Sequence, residues 1–355
     1  MRLTLLVPEL IWPEPGDQLT LGKLATPGFE WLNARAAFDR QPRQSYESAL
    51  AGLFGLGEND EEVPYGALRL AGEEESESAL PAGHWLCADP VHLRFHHERI
   101  VLADAGAFDL DEADADALIA ALNETFPDIG EFRRTTPRRW HLRLNAPTPH
   151  AALPLSAMAG KRVGRERSAQ HSALTPWLNE VQMFLHGHPV NQRRESAGQP
   201  AINSLWVWGG GELPRISAAS VDAVFGDDPL ARGLARAAGL PARPLPASLP
   251  ALLSDAGKAT SALAVVDSLL PHVLYENGEG WRTAWQALET DWLTPLSQQI
   301  GRRIESLRLV APTIYGRLEW RTDGAGRWQF WKKGRPPETL ARQLADAHPS
   351  KGQAA

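Results

Sequence analysis

The chain has 355 residues, of which 43% are hydrophobic and 22% charged, with a net charge of −7 and a single cysteine. This length suits one domain carrying a sizeable insertion, or two domains; the negative charge argues against a general nucleic-acid binder, and no apolar run is long enough to span a bilayer. One cysteine excludes an internal disulfide framework and fits a reducing compartment, so a cytoplasmic location is expected, with no membrane and no nucleic-acid partner.

The opening stretch, MRLTLLVPELIWPEPGD, has an apolar core too short for a signal peptide and is broken by Pro8. It reads as a first buried strand. SYESALAGLFGLG has helical spacing and closes on glycines, and capping is the ordinary role for Ser45 and Ser48 at its opening. The acidic runs of ENDEEVPYGALRLAGEEESES read as solvated loops around a short strand. HWLCADPVHLRF, HHER and IVLADAG follow as strand, turn and strand; DLDEADADALIAALNETF is an amphipathic helix with acids in its first turn, and RRWHLRLNAP is another strand. Residues 81–147 therefore read as a compact α+β insertion domain.

SALTPWLNEVQMFLHGHP is predicted as a helix stopping at Pro189, and INSLWVWGGG as a buried strand running into a glycine loop. The remainder alternates: helix DPLARGLARAAGL, strand PARPLP, helix SLPALLSDA, strand SLLPHVLYE, helix WRTAWQALETDWLTPLSQQI, strand ESLRLVAP. Such alternation predicts a mostly parallel, doubly wound α/β sheet built from residues 1–80 and 148–355. YGRLEWRTDGAGRWQFWKK has the pattern of a hairpin, and LARQLADAHPSKGQAA that of a short helix with a polar tail. Of thirteen tryptophans, those in apolar runs (Trp206, Trp208, Trp320) are explained by packing.

The densest chemistry lies in HGHPVNQRRESAGQPAINSLWVWGGG, residues 186–211. His188, Asn191 and Arg194 cluster where a helix has just ended, and an arginine fork with an imidazole can hold a phosphate or carboxylate. On spacing alone the structural alternative is favoured: arginines salt-bridged at the surface and a histidine that caps a helix. The glycines after WVW permit close backbone approach to a ligand, but no Lys-Ser/Thr of a P-loop follows them. His92 and His96 share a face of a predicted hairpin beside His97, without a carboxylate or cysteine at metal-ligand spacing. Cys87 has no evident base and reads as a core residue, and ENGEGW offers only Glu276 and Glu279 as hard ligands.

In order, these motifs resemble the archaeal-type, cofactor-independent phosphoglycerate mutases of the alkaline phosphatase superfamily, and among mutase-labelled proteins the proteobacterial RpfE-type regulatory group. HPVNQRRESAGQPAINSLWVWGGG is similar to that family's His-Pro-x-Asn-x-x-Arg segment and its following Trp-Gly-x-Gly strand. The resemblance implies an alkaline-phosphatase-like fold with an insertion domain, two Mn or Mg ions, a serine nucleophile and a phosphoglycerate cradle. Residue by residue, His188, Asn191 and Arg194 match the cradle, with Arg139 as an insertion-domain arginine and Ser48 nearest the nucleophile. The metal positions diverge: Glu9 is the acid offered after the first strand, Trp281 stands where the Asp-Glu-Ala-Gly-His loop has its histidine, and Pro312-Thr313 replace an Asp-His pair. The resemblance thus implies a catalytically degenerate protein without a cofactor or metal set, binding a phosphorylated small molecule or a protein partner. An active metal-dependent mutase or other phosphoryl-transfer enzyme, and a protein-interaction scaffold without a small ligand, are the two alternatives.

Overall fold

The computed structural model describes residues 1–347 apart from 23, 58–61, 75–81, 97–98, 105, 159–161, 164–172, 218 and 324–330. In chain order, β1 (Arg2–Leu6), α1 (Gln18–Leu21), α2 (Pro27–Arg35), β2 (Ala37–Gln41), α3 (Tyr46–Gly52) and α4 (Tyr65–Glu73) precede β3 (Trp85–His96) and β4 (Arg99–Asp104). Next come α5 (Glu112–Thr125), β5 (Gly130–Thr136), β6 (Arg139–Leu144), α6 (Leu155–Met158), β7 (Arg162–Val163), α7 (Thr175–Gly187), α8 (Pro189–Ser196) and β8 (Ser204–Gly211). The last third holds β9 (Ala223–Phe225), α9 (Pro229–Ala237), β10 (Ala242–Arg243), α10 (Leu249–Asp255), β11 (Ser261–Val265), α11 (Leu270–Leu274) and α12 (Gly278–Leu288). It ends with a π-helical turn (Glu289–Leu293), α13 (Thr294–Gln299), β12 (Ser306–Thr313), β13 (Gly316–Thr322) and α14 (Pro337–Asp346).

The chain forms two compact units, one from Met1–Leu50, Ala219–Asp228 and Leu240–Ala355, the other from Ala51–Ala218 and Pro229–Gly239. The first unit carries a seven-stranded sheet in the order β10-β9-β11-β1-β12-β13-β2. From β10 to β12 the strands are parallel, and β13 and β2 add antiparallel at one edge. Central strands of a parallel sheet are covered on both faces, which is why the leucines of β1 and all of β11 are buried. Phe29, Trp285 and Trp320 pack edge-on with centroids 5.8–5.9 Å apart in a core that also holds Leu3, Leu5, Trp281 and Trp292.

Two expectations for this unit change. SLLPHVLYE is not a strand; Pro271 near the start of α11 begins a helix, and the strand is the preceding SALAV, all five residues buried. Proline cannot donate to a central ladder, which should have demoted SLLPHVLYE from the start. The second half of the expected hairpin falls on residues 324–330, outside the described residues; its first half, β13, pairs with both β12 and β2.

The second unit is built on a six-stranded antiparallel sheet, β5-β6-β3-β4-β7, with β8 pairing β3. It is therefore wider than the expected insertion at 81–147. WVWGGG belongs to this sheet and not to the parallel one: Cys87, Ala88 and Asp89 stand opposite Trp208, Val207 and Trp206. Its glycines make room for α4. A Cβ on Gly209 (φ +64°) would lie 2.6 Å from Tyr65 Cβ, and one on Gly211 (φ +148°) 2.6 Å from Pro64 Cβ. PYGALRLAGE, expected as a short strand between loops, is the helix α4, buried on most of its surface. It crosses α9 so closely that a Cβ on Gly72 would meet the Pro229 carbonyl, and one on Gly233 the Leu68 carbonyl, both at 1.7 Å.

Candidate functional site

As expected, α7 stops just before Pro189, at Gly187 with His188 as its C-cap, and Pro189 opens a second helix. This proline is the first residue of α8, where its missing N–H costs nothing, and His188 is the extended N-cap whose Nδ1 accepts from Val190 N at 3.2 Å. Burial, then the neighbouring Arg193 charge, lowers the His188 pKa. Asn191 is buried and closes the corner between α7 and β8: Nδ2 donates to the Leu185 and Ile202 carbonyls (2.7 and 2.8 Å), and Oδ1 accepts from Ile202 N (2.7 Å). Arg194 is 3% exposed; Nε donates to Pro200 O (2.9 Å), Nη2 to Asp109 O (2.6 Å), and Nη1 lies 3.4 Å from Asp114 Oδ2. The structure thus brings three of the four expected cradle residues together and gives each of them an internal partner. This is the capping and salt-bridging arrangement, because a donor turned to a backbone carbonyl in the interior is not presented to a ligand.

Arg139 lies elsewhere. Its neighbour Arg138 reaches the corner through Asp109 (3.2 Å), while Arg139, 39% exposed, turns its Nε to Glu73 on α4. Glu73 also accepts from Thr135 Oγ at 2.5 Å and lies 3.0 Å from His141 Nε2. A register shift between Arg134 and Thr136 falls on Thr135, as a bulge does when it re-aims a side chain. Burial alone would raise the Glu73 pKa; the His141 hydrogen bond and the charges of Arg69, His141 and Arg139 overcome it and hold the carboxyl at about 2. Beside it, Arg69 makes a two-pronged pair with Asp89 (2.9 and 2.7 Å), which also accepts from Trp208 Nε1 (2.8 Å). Cys87 is fully buried, as a core residue should be.

Open parallel sheets bind ligands beyond the carboxyl ends of their strands. In the first unit Asp227 and Asp228 follow β9, Asp267 follows β11, Glu9 follows β1 and Thr313 ends β12. Glu9 has φ +57°, an uncommon conformation for a side chain other than glycine. Asp267 is pushed up to about 6, first by burial and then by the charge of Asp228. The Tyr46 hydroxyl is pushed well above its ordinary range by burial and then by Asp228, Asp267 and Glu47. These four side chains form the acidic centre of the candidate site.

Asp267 was missed in the sequence because the acidic loop was sought one helix too late. ENGEGW opens α12 instead: Asn277 Oδ1 accepts from Gly280 N (2.9 Å), and Trp281 is buried, donating Nε1–H to Glu9 O (2.9 Å). Its signal was present as an aspartate directly after the apolar run SALAVV. Thr313 Oγ donates to Gly316 O (3.0 Å) and accepts from Tyr315 N (3.1 Å) within the β12–β13 turn. Ser45 Oγ accepts from Ser48 N (3.1 Å) at the start of α3, with the Ser48 hydroxyl 3.0 Å away. His92 Nδ1 lies 2.8 Å from Ala201 O, and His97 is outside the described residues. Among the described residues, no three His, Cys, Asp or Glu side chains converge where a metal ion could be held.

No family model matches the chain. It is 27% identical over 156 residues to a probable 2,3-bisphosphoglycerate-independent phosphoglycerate mutase of Geobacter sulfurreducens; the match spans 40% of this chain and only 38% of that protein. Among solved structures it resembles the PH0037 protein from Pyrococcus horikoshii, with TM-score 0.56 and 14% identity over 97% of this chain and 95% of that one. A cofactor-independent phosphoglycerate mutase from Thermoplasma acidophilum aligns over 98% of both chains, with TM-score 0.49 and 16% identity. What is shared is the fold. The α/β architecture expected from the sequence, with its mostly parallel sheet, is the one this chain adopts, together with a separate antiparallel sheet.

Proposed function

We propose that this chain is a phosphoglycerate-mutase-like protein whose phosphoryl-transfer chemistry has degenerated, and that it works as a phosphometabolite-binding or regulatory module. The observation that carries this reading is the state of the sheet's carboxyl edge. Trp281 and Thr313, at positions the resemblance assigns to metal donors, are tied into the core by their own hydrogen bonds. Asp267 remains, with Asp228 as its acidic neighbour. Two hard cations need several ionised donors around them. The direct test is to incubate the protein with 3-phosphoglycerate and Mn²⁺ and measure 2-phosphoglycerate. No product above a metal-only blank is expected.

The second reading is an active enzyme with two Mn or Mg ions. It is favoured by Asp228 and Asp267 lying beyond adjacent strands, close enough for the charge of one to raise the pKa of the other. Turnover that vanishes in Asp267→Asn would put that reading first. As for the ligand, half-buried His188 is the cradle residue best placed to meet a phosphate, with Asn191 and Arg194 holding the corner's shape and Arg139 available only on leaving Glu73. Titrating 3-phosphoglycerate into wild type and His188→Ala by calorimetry separates the cases: heat lost in the variant supports the corner, and equal heat removes it.

A further inference from the structure

Trp331 is 67% exposed, whereas every other described tryptophan is buried or half-buried. The two residues after it, Lys332 and Lys333, are also exposed and make no ion pair among the described residues. With Arg335 they place three cations and no acid in five residues of a chain whose net charge is −7.

The stretch is held against its own unit. At Gly334 the place of a Cβ is taken by the Glu30 carbonyl of α2, 1.8 Å away, so only glycine lets the backbone lie there. Asn33 Nδ2 donates to Arg335 O (3.1 Å), Arg335 Nη1 donates to Gln343 Oε1 of α14 (2.7 Å), and Pro336 and Pro337 follow. On α2, next to Glu30, half-buried Trp31 carries the Arg35 guanidinium 5.3 Å over its ring.

We propose that Trp331–Arg335 is a docking site for an acidic segment of a partner protein, with Trp331 as the buried anchor and Lys332 and Lys333 as its charged rim. An aromatic anchor inside a polar rim is how binding energy is distributed in protein interfaces. A nucleic-acid strand would want successive stacking platforms and a positive field, while the described surface presents one strongly exposed tryptophan on an acidic protein. The site goes beyond the function proposed above and does not depend on the chemistry at Asp267.

The experiment is fluorescence anisotropy of a fluorescein-labelled peptide of Glu, Asp and Leu with the full chain. Binding that weakens as salt is raised is expected, at least about tenfold weaker in Trp331→Ala and in the Lys332→Glu/Lys333→Glu double variant. Trp331→Phe should retain most of it, and an unchanged melting temperature in each variant excludes unfolding. No binding by wild type, equal binding by Trp331→Ala, or a preference for an oligothymidine strand over the peptide would each overturn the proposal. Phosphoglycerate turnover or 3-phosphoglycerate binding measured in Trp331→Ala stays as in wild type, so the two proposals fail separately.

Discussion

At the scale of single residues, the same donors can bind an anion or close a chain corner, and burial decides between the two. Asn191 has both amide donors and its carbonyl engaged by backbone, so Asn191→Ala should cost about 2–4 kcal/mol, read as a lower thermal midpoint. His-Pro-x-Asn-x-x-Arg was legible as a constellation, but its internal use was not, because the partners Asp109, Asp114 and Pro200 are set by the fold. Charge is likewise set by surroundings. Glu73 falls from 4.5 to about 2, so its contribution is complete above pH 4.5 and lost as pH drops towards 2. Acid unfolding of Glu73→Gln should therefore be flatter in that window, by on the order of 3 kcal/mol. Asp267 runs the other way: raised from 3.8 to about 6, it favours the folded state at low pH and erodes stability as pH rises through that interval. Asp267→Asn should be more stable than wild type at pH 8, by on the order of 3 kcal/mol, in parallel denaturant titrations.

At the scale of elements, helices were legible where one face is polar and obscure where none is. Around α5 the acids of the first turn and the apolar spacing mark both the start and the buried side. α4 lacks that contrast: it is buried on most sides, and its flanking acidic runs suggested loops. Short strands fared no better, since the three-residue β9 and two-residue β10 leave no periodicity to read. Tertiary contacts also finish elements that local sequence leaves open. Thr26 makes no side-chain cap on α2; instead Glu289, in the π-helical turn, accepts from Gly28 N (2.6 Å), Phe29 N (3.1 Å) and Thr294 Oγ (2.6 Å). Removing that carboxylate in Glu289→Ala should cost about 2–4 kcal/mol by chemical denaturation. Gly233→Ala should cost at least as much as an overpacked core, about 1–3 kcal/mol, by forcing α9 away from α4.

At the scale of the whole molecule, strand–helix alternation was enough to predict the parallel sheet, because that architecture is the usual way to cover both faces of such strands. The partition into units was not legible, because β8 and α9 join the second unit through neighbours far away in sequence. Metal addition tests the molecule as a whole. A ligand that binds only the folded state raises the melting temperature by mass action, so Mn²⁺ in excess should leave the midpoint unchanged if the edge holds no cation. A rise abolished in Asp267→Asn would favour the enzyme reading.

Strand β1 also sets the order of assembly. It lies between β11 and β12, with Arg2 opposite Ser261 and Ser306, so β1 waits for strands made much later in the chain. Loop closure over such separations makes folding slow, and the leucine-rich segment stays uncovered while the ribosome completes the chain. The antiparallel strands from β3 to β8, by contrast, find their partners within residues 85–211 and can pair before β11 exists. Strand β1 is thus made early and secured late.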